Sequence, residues 1–166
     1  MKKIHAGIVE LAVVKLFDYR RHYCVPNVSY GWGLNHEADL IIVDKNQKAT
    51  EVEIKVSHQD LVADFKKAHG HRSKLIGRMY YAIPEYLLEK GLPLIPSKYG
   101  VIVIHEKTID GFNGNILGTY YLAKFYRQCR HDKNYEGISK DQLLKLLDLG
   151  CMRIWTLKTH NNRRNG

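Results

Sequence analysis

The stretch "EVEIKVS" at residues 51–57 decides the fold, because it alternates charged and apolar side chains as a half-buried β-strand does. Val52, Ile54 and Val56 share one face of such a strand, and Glu51, Glu53 and Lys55 share the other. The apolar face is enough to pack a sheet onto a core. The charged face therefore needs its own explanation, which is either a solvated surface or a functional site.

A second strand precedes this one and forms a hairpin with it. Residues 37–44, "EADLIIVD", have strand character, and a polar turn follows them. A symmetric turn places Asp39 opposite Glu53, with Cβ atoms about 5 Å apart. It also places Glu37 opposite Lys55. This register collects the apolar side chains of both strands on one face, so the hydrophobic pattern supports it independently.

The facing carboxylates of Asp39 and Glu53 repel each other unless a cation lies between them. Mg²⁺ and Mn²⁺ prefer oxygen ligands, usually carboxylates together with waters and phosphate oxygens. The sequence therefore predicts a divalent metal site at Asp39 and Glu53, with the backbone carbonyl of Ile54 as a third protein oxygen. Lys55, on the same face, would hold the attacking water or offset the negative charge on a phosphate during hydrolysis.

The remaining segments alternate between helix and strand around this hairpin. Their order favours an α/β fold with a mixed sheet flanked by helices. We expect a single domain over residues 1–160 and a disordered basic tail over residues 161–166. Helices are predicted at residues 4–19, from Ser57 onward, at 85–91 and at 139–150, where Gly150 ends the last helix; further strands are predicted at 23–30, 78–84, 99–106 and 119–127.

Charge and cysteine content narrow the function. The 166 residues include 26 Lys and Arg against 17 Asp and Glu, so the formal net charge is +9. This excess favours a polyanionic partner such as DNA, although many basic proteins are charged only for solubility. The 3 cysteines lie far apart without C-x-x-C spacing, so they indicate neither a disulfide framework nor a zinc site, and we expect a cytoplasmic protein. No apolar run approaches the roughly 20 residues of a membrane span.

Asp39 and residues 53–55 resemble a known signature. An acid on one hairpin strand, followed by (D/E)-x-K on the next, is typical of the PD-(D/E)XK nuclease superfamily. Ala38 precedes Asp39 in place of proline, as in many divergent members. Residues 36–84, "HEADLIIVD…EVEIKVSHQDLVADFKK…RMYYAIP", look like the MmcB-like DNA repair proteins and related phage proteins. A fainter similarity extends over most of the chain.

This resemblance implies a restriction-endonuclease-like core of order αβββαβ, extended here by a C-terminal strand and helix. It implies a Mg²⁺- or Mn²⁺-dependent enzyme that hydrolyses DNA phosphodiester bonds in repair, recombination or phage DNA processing. Many relatives act as dimers or within larger assemblies, so the resemblance implies a homodimer or a larger DNA-processing assembly. Some carry another metal-ligating glutamate on the first helix, where Glu10 is the one acid of an otherwise apolar stretch. The alternative is a non-catalytic DNA-binding module that retains the nuclease fold.

Other polar residues near the signature have two interpretations each. Glu51 is an auxiliary ligand or part of a solvated face, and Glu37 pairs with Lys55 or only begins its strand. Ser57 caps the following helix, and a phosphate contact at that helix N-terminus is its second interpretation. Asp64 is a surface acid of the same helix or a supporting residue of the site. Basic residues after the helix form a phosphate-backbone track or a solvated helix end; they are Lys66, Lys67, Arg72, Lys74 and Arg78.

Overall fold

Six β-strands form one mixed sheet in which each strand pairs with the next along the chain. The structure is a computed structural model that describes residues 4–66, 73–112 and 115–164. The strands are β1 Tyr23–Val28, β2 Ala38–Val43, β3 Ala49–Ile54, β4 Arg78–Pro84, β5 Gly100–Asp110 and β6 Ile116–Arg127. β1 to β3 are antiparallel, β3 to β5 are parallel, and β6 returns antiparallel to β5.

Helices cover both faces of this sheet. They are α1 Ala6–Leu16, α2 His58–Phe65, α3 Leu88–Gly91 and α4 Lys140–Arg164, with short 3₁₀ turns at Tyr30–Trp32, Glu85–Leu87 and Leu92–Leu94. α1 packs on one face through Val9. On the other face, Leu61 of α2 packs near Tyr81, and Leu146 of α4 packs near Ile41. In the described ranges, no helix is both long and apolar enough to cross a bilayer.

The predicted order of elements is confirmed from the first helix to the last strand. Ser57 caps α2 as predicted, because its Oγ accepts the backbone N–H of Asp60 at 3.2 Å. At the start of α4, Ser139 N–H donates to Gln142 Oε1 at 2.7 Å, and Gln142 N–H donates to Ser139 Oγ at 3.2 Å. This capping box satisfies backbone donors that have no partner within the helix.

The hairpin of β5 and β6 is longer than its sequence pattern indicates. The sequence predicts these strands at residues 99–106 and 119–127, but β5 continues to Asp110 and β6 begins at Ile116. The two strands pair with each other past the point where β4 ends at Pro84. In this part of the hairpin the two strands pair with each other without burying an apolar face. The apolar sequence pattern therefore gives little signal for how far the strands extend.

The prediction that Gly150 ends the last helix is wrong. α4 continues to Arg164 and includes most of residues 161–166, for which a disordered tail is predicted. Gly150 does not have a left-handed backbone conformation. It lies beside β1, where an added Cβ would be 3.4 Å from a methyl group of Val25. The glycine therefore allows close packing of helix on strand and does not terminate the helix.

Candidate active site

The hairpin of β2 and β3 brings together the acids predicted from the sequence. Leu40 pairs with Val52, which confirms the predicted register. Next to this pair, the backbone N–H of Ile54 donates to the side chain of Asp39, whose Oδ2 lies 2.7 Å away. The N–H and C=O of one strand residue point to the same side. The carbonyl of Ile54 therefore also faces the strand that carries Asp39.

Lys55 joins three carboxylates into what we call the acid–lysine cluster, which consists of Asp39, Glu53, Lys55 and Asp64. The Lys55 Nζ lies 2.7 Å from Glu53 Oε2, 3.2 Å from Asp64 Oδ1 and 3.8 Å from Asp39 Oδ2. The hydroxyl of Tyr81 donates to Asp64 Oδ2 at 2.9 Å and so orients that carboxylate. The three residues predicted to be catalytic therefore lie together, and α2 adds Asp64 to them.

Asp39 is the exposed member of the acid–lysine cluster. Its side chain is 37% exposed, whereas the side chains of Lys55, Glu53 and Asp64 are 6%, 2% and 1% exposed. Glu53 pairs with Tyr81 in the sheet and therefore lies on the face that α2 covers. A ligand that enters from solvent meets Asp39 first.

Burial and the neighbouring charges shift the pKa values of Glu53 and Lys55. Burial raises the pKa of Glu53 to about 7, and repulsion by Asp39 adds to this effect, while the ion pair with Lys55 opposes it. Burial disfavours the charged amine of Lys55, but the carboxylates of Glu53, Asp39 and Asp64 outweigh burial and raise its pKa. Lys55 is therefore protonated at neutral pH, and Glu53 titrates in the neutral range.

Stability in the absence of divalent cations is expected to fall as the pH rises, because of Glu53. A carboxyl group whose pKa is raised in the folded state stabilises the fold fully below its unfolded value of 4.5, and this contribution is lost as the pH rises through about 7. Relative to Glu53→Gln, the wild-type free energy of unfolding should decrease by about 2–3 kcal/mol between pH 5 and pH 8. Urea unfolding in EDTA measures this change in the free energy of unfolding. Glu106→Gln, at an exposed position, should leave the wild-type pH profile unchanged; identical profiles for wild type and Glu53→Gln would show that Glu53 has no raised pKa.

His36 is a polar residue of this site that the sequence pattern did not indicate. Its Nε2 lies 2.8 Å from Glu51 Oε1, and its Nδ1 lies 2.9 Å from Asn35 Oδ1. His36 and Glu51 are 4% and 1% exposed, so the interpretation of Glu51 as part of a solvated face is wrong. Ligand atoms of His36, Glu51 and Glu53 lie within 4.8 Å of one another. The sequence signal for a residue such as His36 is Glu51, because a buried carboxylate requires a polar partner.

Replacing His36 with alanine is expected to destabilise the protein by about 1–3 kcal/mol, because it removes a hydrogen bond to a buried carboxylate. His36→Gln keeps a side-chain donor and should recover part of the loss. Thermal or urea unfolding measures both effects. The control is His58→Ala, because His58 is exposed. A loss from His36→Ala no larger than that from His58→Ala would mean that the contact with Glu51 does not stabilise the fold.

Glu10 lies near the cluster, and Glu37 is not part of it. Burial raises the pKa of Glu10, and the charge of Asp39 raises it further, so these two carboxylates lie within electrostatic range. Glu37 is exposed, and among the described residues the acidic partners of Lys55 are those of the acid–lysine cluster. The cross-strand pair of Glu37 with Lys55 is therefore not formed.

The basic residues proposed as a phosphate track lie in different places. Lys67 and Arg72 are outside the described residues. Lys66 is exposed at the C-cap of α2, two residues beyond Asp64. The Lys74 Nζ lies 2.6 Å from Glu136 Oε1. Arg78 begins β4 next to Thr50 of β3, which puts it about 16 Å along the strand direction from Lys55.

The fold and the acid–lysine cluster define a mixed α/β protein whose candidate site is built on a β-hairpin. The family model of MmcB-like DNA repair proteins matches residues 3–147, which include the whole cluster, and the chain belongs to this family. The SPO1766 protein of unknown function from Silicibacter pomeroyi has a similar structure, with a TM-score of 0.63 and 14% identity over 100% of this chain and 95% of that one. At this identity the similarity concerns the fold alone. No curated protein matches the chain.

Proposed function

We propose that this protein is a metal-dependent nuclease that hydrolyses phosphodiester bonds in DNA and acts in DNA repair. Membership of the MmcB-like DNA repair family supports the role in repair and DNA as the partner. One observation carries the enzymatic part: the ammonium group of Lys55 lies within 4 Å of both Asp39 and Glu53. This is the arrangement expected of a restriction-endonuclease-like site with the PD-(D/E)XK signature.

The donor set fits Mg²⁺ or Mn²⁺. Asp39 and Glu53 supply carboxylate oxygens, and the Ile54 carbonyl faces the strand of Asp39. Glu53 has a pKa of about 7 even beside Lys55, because burial and Asp39 disfavour its charged form. A divalent cation, as a second positive group beside Lys55, would favour the charged form of Glu53. His36 and Glu51 extend the donor set around Glu53. A divalent ion held by Asp39 and Glu53 supplies Lewis-acid stabilisation of charge on a phosphate.

Lys55 acts as a cation in this proposal and not as a base. Its raised pKa keeps the amine protonated at neutral pH, so it can only donate hydrogen bonds. It orients the attacking water or stabilises the negative charge that develops on the phosphate. Tyr81 and Asp64 position Lys55 through a chain of two contacts, from the hydroxyl to the carboxylate and from the carboxylate to the amine.

Cleavage of supercoiled, single-stranded and branched DNA in Mn²⁺ tests this function. Wild-type protein should cleave at least one of these substrates in Mn²⁺ and none in EDTA. Glu53→Gln should be inactive, because it removes a charged ligand while preserving side-chain size. Glu106→Gln, which changes an exposed glutamate in the same way, should cleave like wild type. Wild-type protein that binds DNA but cleaves no substrate in either Mg²⁺ or Mn²⁺ would refute the nuclease.

The second candidate is a DNA-binding module without catalysis. The observation in its favour is that Glu53 and Lys55 are buried and already paired at 2.7 Å, so the cluster also has a structural use. A module of this kind predicts salt-sensitive DNA binding that Glu53→Gln leaves unchanged, with no cleavage by either protein. The cleavage experiment therefore separates the two candidates.

A further inference from the structure

A cavity of about 680 Å³ lies at the end of the sheet where β4 and β5 begin. We call this cavity the basic pocket; it is formed by residues 73–74, 76–79, 98–99 and 130–134. Backbone hydrogen bonds connect its walls, from Asp132 N–H to Gly77 O at 3.0 Å and from Arg130 N–H to Lys98 O at 3.0 Å. A Cβ on Gly77 would lie only 3.1 Å from His131 Nε2. The walls are therefore built by the fold and closely packed.

The lining of the basic pocket is strongly cationic. Its basic side chains are Lys74, Arg78, Lys98, Arg130, His131 and Lys133, and Asp132 is the acid among the described lining residues. Lys74 is paired with Glu136, which reduces its effect. The Lys98 Nζ lies 4.6 Å from the ring centre of Tyr99, a contact that positions the ammonium group without neutralising it. The remaining positive charge attracts an anion.

The basic pocket lies at the start of β4, and the acid–lysine cluster lies at the far end of β3, the strand that pairs with β4. Met79 lines the pocket and pairs with Glu51, and Tyr81 pairs with Glu53 of the cluster. From Arg78 at the pocket to the level of Lys55, the distance along the strand direction is about 16 Å. One strand of B-DNA advances about 3.4 Å per nucleotide. A nucleic acid strand that contacts the cluster therefore reaches the pocket after about five nucleotides.

We propose that the basic pocket binds a phosphate group of the nucleic acid about five nucleotides from the bond that the acid–lysine cluster cleaves. This inference rests on the proposed function and adds how the substrate is held. Phosphates contact arginine and lysine and fix the register of the nucleic acid on a protein without reading its sequence. Internal phosphates and terminal phosphates share this chemistry.

The test is a double variant, Arg130→Ala with Lys133→Ala. Both side chains are exposed. The matched control, Lys15→Ala with Lys90→Ala, removes the same charge from exposed positions of α1 and α3. Fluorescence anisotropy in EDTA measures binding of labelled 12-nucleotide single strands and duplexes without cleavage. The pocket variant should bind about tenfold more weakly, and its salt slope should fall by about 0.7 for single strands or about 0.9 for duplexes, as expected for the loss of one phosphate contact. The control should change neither quantity by a comparable amount.

Oligonucleotides with phosphate or hydroxyl ends identify the source of the phosphate. If a terminal phosphate tightens binding to wild type and not to the pocket variant, the pocket binds an end. If the ends make no difference and the pocket variant still binds more weakly, the pocket binds an internal phosphate. DNA binding by the pocket variant equal to that of the control overturns this inference and leaves the nuclease proposal intact. Absence of DNA binding by wild type overturns the proposed function itself.

Discussion

Replacement of Lys55 with methionine is expected to lower the free energy of unfolding by about 3–5 kcal/mol at pH 8, because it removes one partner of a buried ion pair. The amine lies 2.7 Å from Glu53 and 3.2 Å from Asp64, and neither carboxylate side chain is more than 2% exposed. Methionine occupies a similar volume to lysine, so the loss reflects charge and not a cavity. The carboxylates would lose the cation that offsets their burial.

The loss should be smaller at pH 5 than at pH 8. Glu53 has a pKa of about 7 in the presence of Lys55, and removal of the amine removes an interaction that lowers this pKa. Glu53 is therefore protonated at pH 5, where it needs no cation. Urea unfolding at the two pH values measures the difference. Lys55→Met combined with Glu53→Gln should recover part of the loss at pH 8, because the two side chains interact directly.

The control is Lys48→Met, because Lys48 is exposed in the turn between β2 and β3, and its replacement should change stability by less than about 0.5 kcal/mol. A loss from Lys55→Met that is equally large at both pH values would mean that the loss does not depend on the ionisation of Glu53. A loss no larger than that from Lys48→Met would mean that the acid–lysine cluster contributes little to the fold.

The alternation of residues 51–57, together with the strand at residues 37–44 and the turn between them, is sufficient to predict the hairpin and its register, because side-chain direction in a strand has a period of two. It therefore placed Asp39 near Glu53 without any knowledge of the rest of the chain. The contacts of His36 with Glu51 and of Lys55 with Asp64 could not be predicted in this way. They depend on how a loop and a helix pack over the charged face, which local periodicity does not encode.

The positions of the basic residues could not be predicted from local sequence either. Lys66 and Arg78 are near in sequence, and a single phosphate track beside the site was the simplest prediction. Arg78 lies instead at the start of β4, at the other end of the strands from Lys55. The residues that join Arg78 in the basic pocket come from segments far along the chain, including Lys98 and Arg130. The parallel pairing of β4 with β5 and the antiparallel pairing of β5 with β6 bring them together.

Replacement of Asp39 with asparagine is expected to reduce cleavage about 10²–10³-fold while the protein stays folded. Asparagine keeps a side-chain oxygen that can accept the Ile54 N–H, now 2.7 Å from Asp39 Oδ2, so the end of the hairpin is preserved. It loses the negative charge that a divalent cation requires. The rate reduction corresponds to about 3–4 kcal/mol of lost transition-state stabilisation, which is the order expected when a metal ligand is removed. Single-turnover cleavage in Mn²⁺ measures the rate, and anisotropy in EDTA should show unchanged DNA affinity.

Stability should change in the opposite direction to activity. Burial raises the pKa values of Glu53 and Glu10, and repulsion by Asp39 raises them further; asparagine removes this repulsion. The attraction that is lost at the same time is the longest ion pair of Lys55, at 3.8 Å. In EDTA at pH 8, Asp39→Asn should therefore unfold at a temperature equal to or higher than that of wild type. Sites that bind charged ligands commonly give up stability for function, so a gain in stability with a loss of cleavage identifies Asp39 as functional.

The matched control lies in the same hairpin. Asp44 Oδ1 accepts the backbone N–H groups of Asn46 and Lys48 at 2.8 and 2.9 Å, so Asp44→Asn alters the same chemistry away from the acid–lysine cluster. Asp44→Asn should cleave DNA like wild type. Equal cleavage by Asp39→Asn and Asp44→Asn would exclude Asp39 as a metal ligand. A lower unfolding temperature of Asp39→Asn in EDTA would instead show that its carboxylate stabilises the fold, as the non-catalytic DNA-binding module requires.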